Sequence, residues 1–266
     1  MTMTRPPAVA GAFYPGNPSI LTATVDRLLA ETPATNSEQP KALIVPHAGY
    51  IYSGATAAMA YATLAPWRSP IRRVILLGPT HRVAVDGIAL PKTTAFATPL
   101  GSIPIDTEAV AQLTELPQIV VSDRVHADEH SLEVHLPFLQ RILDDFTLVP
   151  LAVGHATPDE VAEVLDRLWG GPETLIVISS DLSHFLPYAA ANQVDRDTCA
   201  HILQLDARIR PEQACGAYPV NGLLLAAQRR GLIPHLIHRC NSGDTAGDRQ
   251  RVVGYAAFAF TEAKNV

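Results

Sequence analysis

Residues 74–81, VILLGPTH, decide the fold, because an unbroken apolar run ends there in a Gly-Pro turn that carries a histidine. Two other stretches are built in the same way: residues 42–47, ALIVPH, and residues 175–184, LIVISSDLSH. Continuous apolar strands are typical of parallel sheets that are covered on both faces. The segments between them carry apolar residues at helical spacing, so the sequence indicates an α/β fold.

The rest of the chain continues this alternation of helices and strands. Strands are predicted at residues 41–45, 73–77, 146–153, 174–179, 233–237 and 252–260, and helices at residues 54–64, 131–143, 158–169, 189–205 and 219–229. Ser53 is the expected N-cap of the helix at 54–64. We find no internal repeat, and we predict a single domain over residues 1–266. Its central sheet should be mixed and mostly parallel, with helices on both faces.

Composition excludes several classes of function. The chain has 266 residues, is 47% hydrophobic and carries a net charge of -6 without a basic run, which disfavours a nucleic-acid partner. No stretch approaches the roughly 20 apolar residues that span a bilayer, and we identify no secretory signal, so no membrane partner is expected. Three widely spaced cysteines without a CxxC pair favour a reducing cytoplasm.

Histidines at strand ends are the first candidates for chemistry. His47 and His81 each follow an apolar strand, and ligands of open α/β sheets bind outside the carboxyl ends of the strands. If the two strands are neighbours, about 5 Å apart, the two imidazoles could share a metal ion. Each histidine taken alone could equally cap its strand by hydrogen bonding.

The third strand leads to an acid and a histidine three residues apart, Asp181 and His184. A carboxylate beside an imidazole raises its pKa and fixes its tautomer, which suits a general base. Local capping of the next turn by Asp181 explains the same residues and is compatible with that role.

Residues 126–135, HADEHSLEVH, form the densest cluster of titratable groups. The spacing of its histidines does not fit a zincin motif. His130 and Glu133 would share one helix face, where they could support the metal ligands from behind. We expect Asp128 and His135 to belong to a solvated helix start.

A loop near the C-terminus, residues 239–248, supplies candidates for a third metal ligand. Asp244 would complete a site of two histidines and one carboxylate, the pattern of non-haem Fe(II) oxygenases. Cys240 is the rival ligand and would favour zinc or copper. Cys199 and Cys215 fall in helical stretches, which indicates core positions.

The order of these motifs resembles the Memo family, whose prokaryotic members are called AmmeMemoRadiSam system protein B. The resemblance rests on VAGAFYPG at 9–16, PHAGY at 46–50, GPTH at 78–81, DEHSLEVHLPF at 128–138, SSDLSH at 179–184, PVNGLLLAA at 219–227, NSGDTAGD at 241–248 and VVGYAAFAF at 252–260. The family is similar in fold to the class III extradiol dioxygenases, whose site is a non-haem ferrous ion.

The resemblance implies roles for several of these residues. His47 and His81 match the family's metal-ligating histidines, and Asp181 and His184 match the acid and histidine beside the metal. Eukaryotic members place a cysteine about ten residues before the tyrosine that corresponds to Tyr255, a position that is Thr245 here. The adjacent Asp244 is therefore the preferred third ligand.

The expected function follows from the resemblance. It is a metal-dependent oxidoreductase of the extradiol-dioxygenase type, with Fe(II) as cofactor and copper or zinc as alternatives. His184, oriented by Asp181, would move the proton of a diol substrate. The family name also suggests radical-SAM and AMMECR-type partner proteins. The alternative is a binding or scaffold protein that has kept the pocket and lost the reaction.

Overall fold

The structure of the protein is a computed structural model that describes residues 3–32 and 38–263. Its strands are β1 (Thr4–Arg5), β2 (Pro40–Val45), β3 (Arg73–Pro79), β4 (Ile88–Leu90), β5 (Ala95–Thr98), β6 (Gly101–Pro104), β7 (Ile119–Val121), β8 (Thr147–Val153), β9 (Thr174–Ser179), β10 (His184–Leu186), β11 (Ile233–Asn241) and β12 (Val252–Thr261). Its α-helices are α1 (Pro18–Ala30), α2 (Tyr50–Ala62), α3 (Thr107–Ala111), α4 (Asp123–Ala127), α5 (Leu136–Ile142), α6 (Pro158–Leu168), α7 (Tyr188–Leu203) and α8 (Ala217–Arg230).

One large mixed sheet organises the described residues. Its strand order is β10-β12-β2-β9-β3-β8-β4-β7, and β11 also pairs with β12. The central strands β2, β9, β3 and β8 are parallel, whereas β12 and β4 join this group antiparallel. The predicted mixed α/β sheet is confirmed, with its parallel part at the centre. A second, three-stranded sheet has the order β1-β5-β6, and Ile105, directly after β6, forms a bridge with Leu148 of β8.

Side chains of the central strands alternate between two hydrophobic layers, as the two-residue period of a strand requires. Ile75 and Leu77 of β3 belong to the layer that contains α6 and α8. Val74 and Leu76 belong to the opposite layer, with α1, α2 and α5. Both faces of the sheet are therefore covered by helices, as the uninterrupted apolar runs predict.

Helices α6 and α8 pack closely against each other on one face of the sheet. Helix α6 begins with a capping box between Thr157 and Glu160 and with Pro158 in its first turn. In α8, a Cβ at Gly222 would lie 2.2 Å from Cγ1 of Val161. The glycine is what allows the two helices to approach.

Two predicted helix starts were wrong. Helix α2 begins at Tyr50 with Gly49 as its N-cap, while the Ser53 hydroxyl donates to the carbonyl of Ala48. The helix expected at 131–143 forms only from Leu136, after a 3-10 turn at Glu133–His135. Among the described residues, no helix is both long and apolar enough to cross a membrane.

The strand order contradicts the assumption that His47 and His81 follow neighbouring strands. The strands that carry them, β2 and β3, are not neighbours, because β9 lies between them and is parallel to both. The end of β9, at Ser179, therefore lies between the two histidine-bearing turns. This placement matters for the geometry of the site.

Candidate metal centre

Three histidines converge at the carboxyl ends of the central strands. The ring centroids of His47 and His81 are 5.1 Å apart, and the ring of His130 lies 5.4 Å from the first and 4.6 Å from the second. One nitrogen from each ring can be chosen such that all three lie within 4.8 Å of one another. His47 and His81 do meet, and the third member of the group is a histidine.

The sequence predicts that His130 supports the metal ligands from behind, whereas the structure places it in the cluster itself. It lies in the loop after α4, where its ring packs 4.7 Å from that of Phe13. Its Nδ1 lies 3.3 Å from Oε1 of Glu129, but the geometry does not make a hydrogen bond, so this buried nitrogen has no hydrogen-bond partner among the described residues. A buried imidazole nitrogen without a hydrogen bond is a position that a metal ion could fill.

Glu129 holds the ring of His81 in place. Its carboxylate accepts hydrogen bonds from Nδ1 and the backbone N–H of His81 and from the backbone N–H groups of His130 and Ser131. Burial acts to raise the pKa of Glu129, but these hydrogen bonds outweigh it and hold the pKa at about 2. Because an ionised carboxylate only accepts, Nδ1 of His81 carries a proton and Nε2 is the nitrogen available to a metal.

His47 and His130 are suited to ligation by their burial. Burial lowers the pKa of His47 well below its ordinary value and that of His130 to about 4. Both rings are therefore neutral at neutral pH, the form that binds a metal.

Asp181 and His184 line the same cavity as the histidine cluster. Burial raises the pKa of Asp181 to about 7, against the opposing effect of the His47 backbone N–H, which donates to Oδ1 at 2.7 Å. Burial lowers the pKa of His184. No hydrogen bond joins these two side chains in the part of the chain that the structure describes. Asp181 thus holds the turn of His47 rather than the ring of His184.

The two predicted third ligands, Asp244 and Cys240, lie outside the histidine cluster. Asp244 ends a 3-10 turn, where it accepts from the Tyr188 hydroxyl at 2.5 Å and from the Asn241 backbone N–H at 3.1 Å. Sγ of Cys240 lies on β11, 3.2 Å from the Thr56 hydroxyl. Neither residue lines the cavity, although the loop that follows Asp244 forms part of its wall.

Glu133 and His135 are buried inside the protein. Glu133 pairs with Arg5 at 2.6 Å and accepts from the Tyr14 hydroxyl, so it fastens the N-terminal segment and does not touch the histidine cluster. The expectation that His135 is solvated was wrong, because its ring is 1% exposed. Asp128 is exposed, as predicted.

The prediction that Cys215 lies in a helix of the core was also wrong. Cys215 precedes α8 in a turn, is half-buried, and its Sγ lies 3.3 Å from Nε2 of His47. The apolar surroundings of its segment gave no indication of this contact, since it depends on how α8 packs against the sheet.

The cavity in front of the cluster has a volume of about 650 Å³. Aromatic rings of Phe13, Tyr52 and Phe185 form part of its wall, and Arg251 lies at its rim with its guanidinium 5.1 Å from the Phe185 ring. The Arg251 guanidinium has no ion-pair partner among the described residues. The cavity therefore offers a cluster of imidazoles, aromatic surface, the Arg251 guanidinium and the carboxyl groups of Asp181 and Asp248.

Comparison with known proteins places this architecture in a family. The chain matches the Memo family, described as Memo-like protein, over residues 5–259. A MEMO1 family protein of Sulfolobus acidocaldarius is 33% identical over 283 residues, which cover 97% of this chain and 99% of the relative. A MEMO1 family protein of Ignicoccus hospitalis is 35% identical over 288 residues with the same coverage of both chains.

Among solved structures, the uncharacterized protein JW3007 from Escherichia coli K12 is similar with a TM-score of 0.53. The sequence identity is 14%, and the match covers 84% of this chain and 100% of that one. At this identity the likeness concerns the fold alone. The family match and the relatives that align over almost their whole length are independent of it. On that evidence, the chain belongs to the Memo family.

Proposed function

We propose that this protein is a metal-dependent oxidoreductase of the extradiol-dioxygenase type, with its metal ion held by His47, His81 and His130. The observation that carries the proposal is the convergence of three imidazoles in one cavity at the carboxyl ends of the strands. Imidazole ligands suit iron, copper and zinc. Fe(II) is the metal that we propose, because zinc has no redox chemistry and the class III extradiol dioxygenases, which this family resembles in fold, use a non-haem ferrous ion.

The donor set departs from the pattern of two histidines and one carboxylate. Asp244 is turned to Tyr188 and to its own turn, so His130 replaces it in the proposed ligand set. Nδ1 of His130 has no hydrogen-bond partner among the described residues, and a carboxylate lies behind His81; both features fit a bound ion. Cys240 is likewise excluded from the proposed set by its contact with Thr56.

The rest of the cavity suits a small aromatic diol. Bound Fe(II) would supply the redox chemistry with O2 and substrate. Aromatic side chains would pack against the substrate ring, and Arg251 would pair with an anionic substituent at the rim. His184 is the proposed acceptor of the substrate's hydroxyl proton, since its ring lines the cavity and its lowered pKa keeps it neutral.

Metal analysis of protein purified without oxygen tests the ligand set. Wild-type protein should take up iron in a one-to-one ratio, His130→Ala should lose most of this capacity, and Asp244→Asn should keep it. Retention of metal by His130→Ala together with its loss in Asp244→Asn would show that the carboxylate is the ligand. Wild-type protein that takes up no iron, copper or zinc would refute the metal site.

Oxygen consumption by the iron-loaded protein tests the reaction. With 3,4-dihydroxybenzoate or catechol as substrate, we expect oxygen uptake and ring-cleavage absorbance, and both should fall sharply in His184→Gln without a change in iron content. A protein that binds iron but consumes no oxygen with any catechol would instead support the scaffold function. In that case, a partner protein's affinity should be independent of His47.

A further inference from the structure

A chain of buried polar groups runs from the proposed metal ligand His47 into the core. Its centre is the hydroxyl of Ser179, which is fully buried at the end of β9. The Ser179 Oγ lies 2.6 Å from Nδ1 of His47, 2.8 Å from Nε2 of His135 and 2.6 Å from the carbonyl oxygen of Ser131. The Tyr61 hydroxyl lies 2.9 Å from Nδ1 of His135 and ends the chain.

The number of protons available determines which atom donates in each hydrogen bond around Ser179. The Ser131 carbonyl can only accept, so the single hydroxyl proton of Ser179 must point to it. The two lone pairs that remain on Oγ can only accept, and both imidazole nitrogens must therefore donate. His47 then carries its proton on Nδ1, and His135 carries one on Nε2.

The far end of the chain agrees with this assignment. Burial lowers the pKa of His135 to about 3, so the ring is neutral and its Nδ1 has a free lone pair. Burial also raises the pKa of Tyr61, so its hydroxyl is protonated and donates to that lone pair. Each polar atom of the chain thus has one role, and none conflicts with another.

The near end agrees as well. A neutral His47 that is protonated on Nδ1 has its lone pair on Nε2, the nitrogen that Cys215 approaches at 3.3 Å. The Cys215 thiol can donate to that lone pair or to the carbonyl of Asp181, which lies 3.7 Å from Sγ. The Cys215 contact is thus compatible with the assignment, and the tautomer itself follows from the bonds of Ser179.

We propose that Ser179 is a positioning residue that fixes His47 as the Nδ1-protonated tautomer and so presents the Nε2 lone pair to the metal cluster. Ser179 performs for His47 the function that Glu129 performs for His81, with a neutral hydroxyl in place of a carboxylate. The importance of Nε2 as a ligand rests on the proposed function, whereas the tautomer itself does not. Ser179 is thus part of the site, and it owes its role to the position of β9 between β2 and β3.

The tautomers can be read directly in metal-free protein. In long-range proton–nitrogen spectra of protein labelled with 15N-histidine, His47 should show the Nδ1-protonated pattern and His135 the Nε2-protonated pattern. Spectra of His47→Gln and His135→Gln assign the signals by their disappearance. A His47 ring that is protonated on Nε2, or a mixture of both tautomers in the wild type, would overturn the proposal.

Substitutions of Ser179 then link the tautomer to the metal. Ser179→Ala should give mixed tautomers at His47 and weaken Zn(II) binding by roughly 10- to 100-fold, the range observed when groups behind metal ligands are removed. Ser179→Thr keeps the hydroxyl and should restore both readouts. Ser180→Ala is the matched control, because Ser180 is equally buried, but its hydroxyl bonds to the backbone at Asp181 and Gly216 and not to an imidazole.

The outcomes separate the two proposals. Zinc binding by Ser179→Ala at wild-type affinity would show that Ser179 does not act on the metal site, even if the tautomer is as assigned. Failure of the wild type to bind any metal would remove the proposed function but leave the tautomer spectrum as a valid test. An altered tautomer in Ser180→Ala would show that any buried serine here has the same effect and would refute a specific role for Ser179.

Discussion

Acid should destabilise this protein through a buried histidine that lies away from the metal cluster. His126 is 1% exposed, and its Nε2 donates to the carbonyl of Ala89 at 2.9 Å, while its Nδ1 has no partner among the described residues. Burial lowers its pKa from 6.5 to about 4. His126→Gln keeps an N–H that can donate to the same carbonyl and removes the titration.

The size and sign of the effect follow from linkage. The folded state resists protonation of His126 and the unfolded state does not, so the stabilising contribution is complete above pH 6.5 and is lost as the pH falls towards 4. Between about pH 7.5 and about pH 4.5, these two pKa values correspond to a loss of about 2.5 kcal/mol in the free energy of unfolding. The Gln variant should lose about 2.5 kcal/mol less than the wild type over that interval.

Urea denaturation at the two pH values measures this difference. Thr98→Val is the control, because it removes a buried hydroxyl that does not titrate and should lower stability equally at both pH values. Parallel pH dependences of the wild type and His126→Gln would refute the reasoning, since they would mean that His126 titrates normally in the folded protein.

Three further predictions concern the site and the packing. Glu129→Gln should weaken Zn(II) binding by roughly 10- to 100-fold, measured by competition with a chelator, and unchanged affinity would exclude an orienting role. Gly222→Ala should cost about 1–3 kcal/mol by urea denaturation, because the new methyl group meets Val161, and an unchanged midpoint would contradict the close helix packing. Arg251→Gln should abolish the preference of metal-loaded protein for 3,4-dihydroxybenzoate over catechol in calorimetry, whereas Arg249→Gln, whose guanidinium lies over Tyr188, should keep it.

Much of the fold could be predicted because each strand is marked by a local run of apolar residues. The apolar runs that end at Val45, Pro79 and Ser179 became β2, β3 and β9, and the turns after them carry His47, His81 and Asp181 as predicted. What the sequence did not reveal was which strands are neighbours. The order of strands in a sheet depends on where the crossover helices pack, and in this protein β9 lies between β2 and β3.

The candidate site was predicted in part for the same reason. His47 and His81 come from short turns whose positions follow from their strands. His130 comes from a longer segment, and its place in the cluster depends on Glu129, whose carboxylate reaches across to His81. Asp244 was predicted as a metal ligand only because it carries a carboxylate. In the structure this carboxylate accepts a hydrogen bond from Tyr188, a contact between distant residues that no local sequence pattern indicates.

The sequence by itself determined that apolar strands deliver histidines to one edge of an α/β sheet. Residue type and two-residue periodicity suffice for that, because they act between chain neighbours. Only the tertiary structure decided that a third imidazole joins His47 and His81 and that Ser179 lies behind one of them. Those contacts join residues far apart in the chain, and packing between helices and strands sets their distances.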